Sequence, residues 1–186
     1  MRHNAAMRVI LCGANPGVRL VDEADHTTVT AFASVWQVDW SERGAGRAIV
    51  LWHAGAVRVL TDNAELGSWL EGGFTRHFPE AEGLAWTSPT PEPATVSYDV
   101  DLAHGLQASA GDVQITMSGV LDRRAFATDE FPLDGVPHGL RLVVMPMAQA
   151  QIVVGGRPLP GVVARTGTDE RPRSSAFIAT AEVWLR

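Results

Sequence analysis

The sequence predicts a mainly β protein, an antiparallel β-barrel or barrel-like sandwich with one short capping helix. Three observations predict it. Apolar and polar residues alternate with period two over many short segments, the texture of strands with one wet face. Glycine-bearing two-residue links separate several of these segments, as tight hairpins require. Helical spacing occurs once, between Asp62 and Gly72.

Taken in order, Arg8 to Cys12 reads as a strand and Thr28 to Trp40 as another, rich in Val, Phe, Trp and Thr. Arg47 to His53 and Val57 to Thr61 form a hairpin around Ala54-Gly55-Ala56. Its strands are apolar on both faces, with Val50 and Trp52 on one and Ile49 and Leu51 on the other, so both faces must be covered. The helix follows: Asp62 suits the N-cap with Glu65 three residues on, Leu66, Trp69 and Leu70 make one apolar stripe, and Gly72-Gly73 stops the turn. Thr87 to Pro93 holds three prolines, which deny helix and interrupt a ladder. Residues 1–186 are expected to form a single domain, with two lobes joined at the crossing 87–93 as its looser variant.

Beyond the crossing the chain reads as a meander. Val96, Tyr98, Val100 and Leu102 alternate with Ser97, Asp99 and Asp101, and Val113, Ile115 and Met117 alternate with Gln114, Thr116 and Ser118. Gly111-Asp112 and Gly155-Gly156 are tight links. Leu140 to Met145, Ala150 to Val154, Leu159 to Ala164 and Ala176 to Leu185 complete roughly eight segments at the spacing expected of sandwiches and barrels. Arg165 to Ser175 is polar and is expected to be a loop.

Composition narrows function by exclusion. Hydrophobic residues make up 46% and charged residues 19%, which is globular rather than disordered. All 15 basic side chains are arginine, so Schiff-base chemistry and a P-loop, which need lysine, are excluded. A net charge of -6 opposes non-specific attachment to nucleic acid or an anionic membrane, and neither is expected as a partner. Cys12 is alone, which excludes an internal disulfide and a thiolate metal cage. The apolar run Val9 to Cys12 is too short for a signal peptide, so a cytoplasmic location is expected.

The sharpest string is Gly13-Ala14-Asn15-Pro16-Gly17 at the end of the first strand. It is similar to the first motif of the mismatch-specific uracil-DNA glycosylases, and the resemblance implies that Asn15 positions an attacking water beside a flipped base. It covers about ten residues of 186; no His-Pro-x-Asn stretch and no second Asn-Pro motif follow. The ordinary expectation for Asn-Pro and Pro-Gly is a tight turn.

The six histidines, His3, His26, His53, His77, His104 and His138, show no metal-ligand spacing, and no metal or other cofactor is expected. Asp99 and Asp101, with His104 nearby, read as the polar outer face of an edge strand. The stretch from Trp52 to Glu80 is the richest in chemistry. A helix across a barrel mouth would close an apolar pocket, with His53, His77 and Glu80 as candidate catalytic groups able to move protons near neutral pH. Trp36, Trp52 and Trp69 are the candidate ligand-binding residues, because six tryptophans beside a single tyrosine bring large flat apolar area.

The expected function is therefore that of an apolar small-molecule pocket, either a carrier or a cofactor-independent cyclase or isomerase that acts by shaping its substrate. The alternative is a non-enzymatic interaction or assembly module, and exposed alternating strands make a homodimer reasonable. A glycosylase is the least favoured reading.

Overall fold

A computed structural model describes residues 7–186; His3, one of the six histidines, lies outside them. The strands are β1 (Val9–Ala14), β2 (Gly17–Val21), β3 (Val29–Ser41), β4 (Gly46–His53), β5 (Ala56–Thr61), β6 (Glu92–Pro93), β7 (Val96–Asp101), β8 (Gly105–Ala110) and β9 (Val113–Val120). They continue with β10 (Arg124–Leu133), β11 (Val136–Val154), β12 (Arg157–Pro158), β13 (Val162–Val163), β14 (Arg165–Gly167), β15 (Pro172–Ser174) and β16 (Ala176–Leu185). The helix α1 (Ala64–Gly73) and two 3-10 turns, Thr75–His77 and Pro79–Ala81, lie between β5 and β6.

Fourteen strands form one sheet whose main path runs β6-β5-β4-β3-β1-β16-β11-β9-β8-β7. Every pairing is antiparallel except the two-residue contact of β6 with β5. The sheet folds over on itself because β11 serves two layers. Its first half pairs β10 and β16, and its second half, from Met147 onward, pairs β9. The result is a barrel-like sandwich with a partial ring, as the alternation predicts.

Two glycine links form as expected. Ala54 and Gly55 both have positive φ (50° and 78°), and so do Gly155 and Gly156 (57° and 76°), the geometry whose twist matches flanking antiparallel strands. Leu140 to Met145 and Ala150 to Val154, expected as separate strands, are instead two parts of β11. Pro146 does not break the strand, because it lies where β11 exchanges partners and its carbonyl still accepts from Leu121 N at 2.9 Å.

Side chains on the two faces of the sheet build two cores. The inner core lies between the folded-over layers: Ala31, Ala33 and Val35 of β3, Ile49 and Leu51 of β4, and Leu60 of β5 meet Leu106, Ala108, Val113, Ile115, Met117 and Ile152. Residues from both sides of the crossing 87–93 thus share one interior. The outer core covers the other face: Phe32, Trp36 and Val38 of β3 and Val50 and Trp52 of β4 pack under Leu66, Leu70, Phe74 and Phe78. The two-sided apolar pattern of β4 follows directly from this, since each face has its own cover.

The helix departs from expectation in two ways. Asn63, not Asp62, is its N-cap, accepting from Leu66 N at 3.2 Å, while the Asp62 carboxylate accepts from Arg47 N at 2.7 Å across the hairpin. It also lies on the outer face of β4 and β5 rather than over a barrel mouth, because Val57 and Val59 present an apolar strip there that Leu66 and Leu70 cover. No described helix is long and apolar enough to cross a membrane.

Candidate functional site

The Gly13 to Gly17 string is not a turn. β1 and β2 run on in the same direction, both antiparallel to β3 on one side and β16 on the other, so the string is a kink in the middle of the sheet. Each glycine has a local reason. A Cβ on Gly13 would stand 2.0 Å from the carbonyl oxygen of Gln37, at a bulge against β3, and a Cβ on Gly17 would stand 2.7 Å from the Phe177 ring. Between them, Asn15 N donates to Ala179 O at 3.1 Å and Pro16 O accepts from Val35 N at 2.8 Å. The Asn15 side chain donates to Ser34 Oγ at 2.7 Å and to Val35 O at 3.2 Å, which pins the kink to β3. Both hydrogens of the amide that the glycosylase resemblance would give to a water-positioning role are thus held by the protein.

Across from the kink, β16 carries an irregularity of its own. Ala181 has φ +49°, a left-handed conformation uncommon for a residue with a side chain, and the β16 ladder with β11 shifts register between Arg141 and Val143. The extra residue changes which face later side chains take. Phe177 and Ala179 before it and Glu182 and Trp184 after it all line the same cavity on the outer face.

That cavity has a volume of about 240 Å³. Its floor is Leu140, Leu142 and Val144 of β11 with Phe177, Ala179, Glu182 and Trp184 of β16; Asn15 closes one side, Phe126 and Phe131 of β10 another, and Phe78-Pro79-Glu80 the roof. The aromatic walls are braced against one another: Phe78 stacks on Trp184 with centroids 6.0 Å apart, and Phe131 meets Trp184 edge-on at 5.1 Å.

Two carboxyl groups face this apolar space. Glu182 is 2% exposed and accepts from the indole Nε1 of Trp184. Burial pushes its carboxyl up to about 8, with the indole hydrogen bond opposing the shift only in part. Burial also raises Glu80, against the attraction of the Arg19 charge. No cation lines the cavity.

Of the candidate catalytic groups, only Glu80 reaches this site. His77 faces a neighbouring groove with Arg76 and Asp134, where its Nε2 lies 3.0 Å from Gly72 O and its Nδ1 lies 3.6 Å from Asp134. His53 sits half-buried at the end of β4, opposite Ala31 and Ala56, apart from both.

The candidate ligand-binding tryptophans lie beside the cavity rather than in its wall. Trp36 is fully buried, donates to Thr75 Oγ1 at 3.0 Å and packs on Phe74 and Phe78. Trp52 donates to Ala85 O at 2.9 Å, and Trp69 meets Phe74 edge-on at 4.9 Å. Asp101 accepts from the backbone N–H groups of Ala103 and His104 and pairs with the exposed His104 ring at 3.0 Å, closing a surface turn. Among the described residues no group of three His, Cys, Asp or Glu side chains gathers to hold an ion.

Glu182, Trp184, Phe78, Phe131 and Phe177 line the cavity without having been candidate site residues in the sequence. One signal was available: a carboxylate two residues before a tryptophan, inside a mostly apolar strand. Comparison with protein-family models, with curated proteins and with solved structures finds no match.

Proposed function

We propose that the chain binds a compact apolar small molecule in the outer-face cavity, as a carrier or as an isomerase or cyclase that works by shaping its substrate. The observation that carries this reading is an aromatic-walled space of about 240 Å³ next to a buried carboxyl. An apolar cavity of about 150 Å³ accepts benzene, so a space of this size suits a substituted ring or a fused bicycle. A catalytic version needs no nucleophile. Glu182 and Glu80, both held toward the neutral acid, are able to donate a proton to a bound double bond or carbonyl and receive it back.

Indane, a bicycle without polar atoms, is the first probe, and Trp184 in the wall is the reporter. Titration is expected to change tryptophan emission saturably at one site, and Leu142→Trp, which fills the floor from a half-buried position, is expected to abolish the change while leaving the circular dichroism of the sheet intact. Absence of saturation, or saturation that survives Leu142→Trp, would overturn the reading.

A further inference from the structure

Glu182 is the cavity's anomaly, and its surroundings say what it is for. The carboxyl is almost wholly buried, and among the described residues its hydrogen-bond set is a single one, accepted from Trp184. Its own proton has no acceptor among the described hydrogen bonds, although an O–H in apolar surroundings calls for one. Asn15, the other buried polar wall residue, donates both amide hydrogens to Ser34 and Val35. Glu71 gives the useful contrast. It too is buried and accepts from an indole, that of Trp86 at 2.6 Å, yet it does not line this cavity. Capping an indole accounts for Glu71 in full; Glu182 also fronts an empty space large enough for a ligand.

We propose that the ligand of this cavity is a neutral ring compound with one hydrogen-bond acceptor, a carbonyl oxygen or an uncharged ring nitrogen, seated on the carboxyl proton of Glu182. The proposal rests on the small-molecule reading of the cavity and names its substrate class. A cationic ligand fits poorly, because pairing it with the carboxyl would strip water from both charges among walls of Phe, Leu and Trp, and no cationic side chain lines the cavity. The titratable groups about Glu182 bear this out. Glu80 from the roof is a second carboxyl, and the Arg19 charge of β2 acts on Glu80; Tyr98 from β7 adds no positive charge; and Arg141 of β11, opposite Val183, spends its guanidinium on Asp129, Thr128 O and Leu140 O. Cys12 of β1 is also opposite Val183, and His138 of β11 meets the edge of Trp184. Selectivity of this kind is a property of the protonated acid and is lost when Glu182, whose carboxyl burial pushes up to about 8, gives up its proton.

Three probes of one shape test it: indane, 1-indanone, which adds a carbonyl, and 1-aminoindane, which adds a cation. About 1.5 pH units below the Glu182 midpoint, 1-indanone is expected to bind roughly tenfold more tightly than indane, one net hydrogen bond's worth. About 1.5 units above it, that preference is expected to vanish while indane binding stays level. Glu182→Gln, which keeps an N–H donor, is expected to hold the preference at both pH values, and Glu182→Leu to remove it at both. Indane binding with no advantage for 1-indanone, or 1-aminoindane binding tightest, would overturn this proposal and leave the cavity reading standing. Binding of none of the three would sink both.

Discussion

The two faces of one sheet have been filled by different chemistry. The inner core is aliphatic, with Val, Leu, Ile, Ala and Met side chains and no aromatic ring among its fully packed members. The outer core holds Trp36, Trp52 and Trp184, with Trp69 and Trp86 against it, and the Phe side chains at 32, 74, 78 and 131. The reason is the kind of cover each face has. Inside, strand meets strand, regular spacing brings small branched side chains into register, and no polar group is needed. Outside, the cover is a ten-residue helix, two 3-10 turns and a loop, which leave uneven gaps that large flat rings bridge.

Rings with an N–H import polar partners. Each of four indoles finds its own acceptor: Trp36 on Thr75, Trp52 on Ala85, Trp86 on Glu71 and Trp184 on Glu182. Apolar gaps and buried acids therefore come together on the outer face, and a binding cavity is made from the same two ingredients.

The largest test of this contrast is truncation in each core. Leu106→Ala in the inner core is expected to cost about 2 to 5 kcal/mol and to leave indane affinity unchanged, while Trp36→Ala is expected to cost about 3 to 5 kcal/mol and to weaken indane binding, since Phe78 rests on Trp36 and forms the roof. Denaturant unfolding gives the first pair of values and the fluorescence titration the second. Equal effects on binding from both variants would erase the distinction.

A second test uses pH. The folded-state value of Glu182 is raised from 4.5 to about 8, so between those values the native chain holds a proton that the unfolded chain has released. Stability is therefore expected to fall as pH rises through that window, by up to about 1.4 kcal/mol per unit, and to level off above it. Glu80, raised by burial as well, bends the curve the same way. Glu182→Gln is expected to flatten most of the slope, and an unchanged slope in that variant would remove Glu182 as its source.

The smallest effect separates two neighbours on the helix. Asn63→Ala is expected to cost about 1 kcal/mol as a lost N-cap, measured by thermal unfolding, whereas Asp62→Ala acts on the β4–β5 hairpin through Arg47 N and leaves the cap in place. Loss of helix-end protection from hydrogen exchange is thus expected in Asn63→Ala alone.

Much of the architecture was legible because it is written locally. Period-two alternation marks β7 and β9, positive-φ glycines mark their turns, and the two-sided apolarity of β4 announces a second core. What misled was also local. Asn15-Pro16-Gly17 carries turn residues, yet pairing to β3 and β16 both before and after the string keeps the chain extended and turns those residues into a kink. Asp62 and Asn63 are both able to cap, and the choice went to Asn63 because Arg47 N claims Asp62.

The cavity was the least legible feature. Its walls come from the roof at 78–80, from Asn15 in the kink between β1 and β2, and from β10, β11 and β16, far apart in the chain, and the Ala181 bulge decides that Glu182 faces the cavity with Trp184. No window of sequence contains that information.

The most direct measurement is a crystal structure of the protein soaked with 1-indanone. Ring density is expected between Phe78, Phe131, Leu142 and Trp184, with the carbonyl oxygen at hydrogen-bond distance from the Glu182 carboxyl. A ring seated in the inner core, or a cavity collapsed onto Phe78 with no room for one, would contradict it.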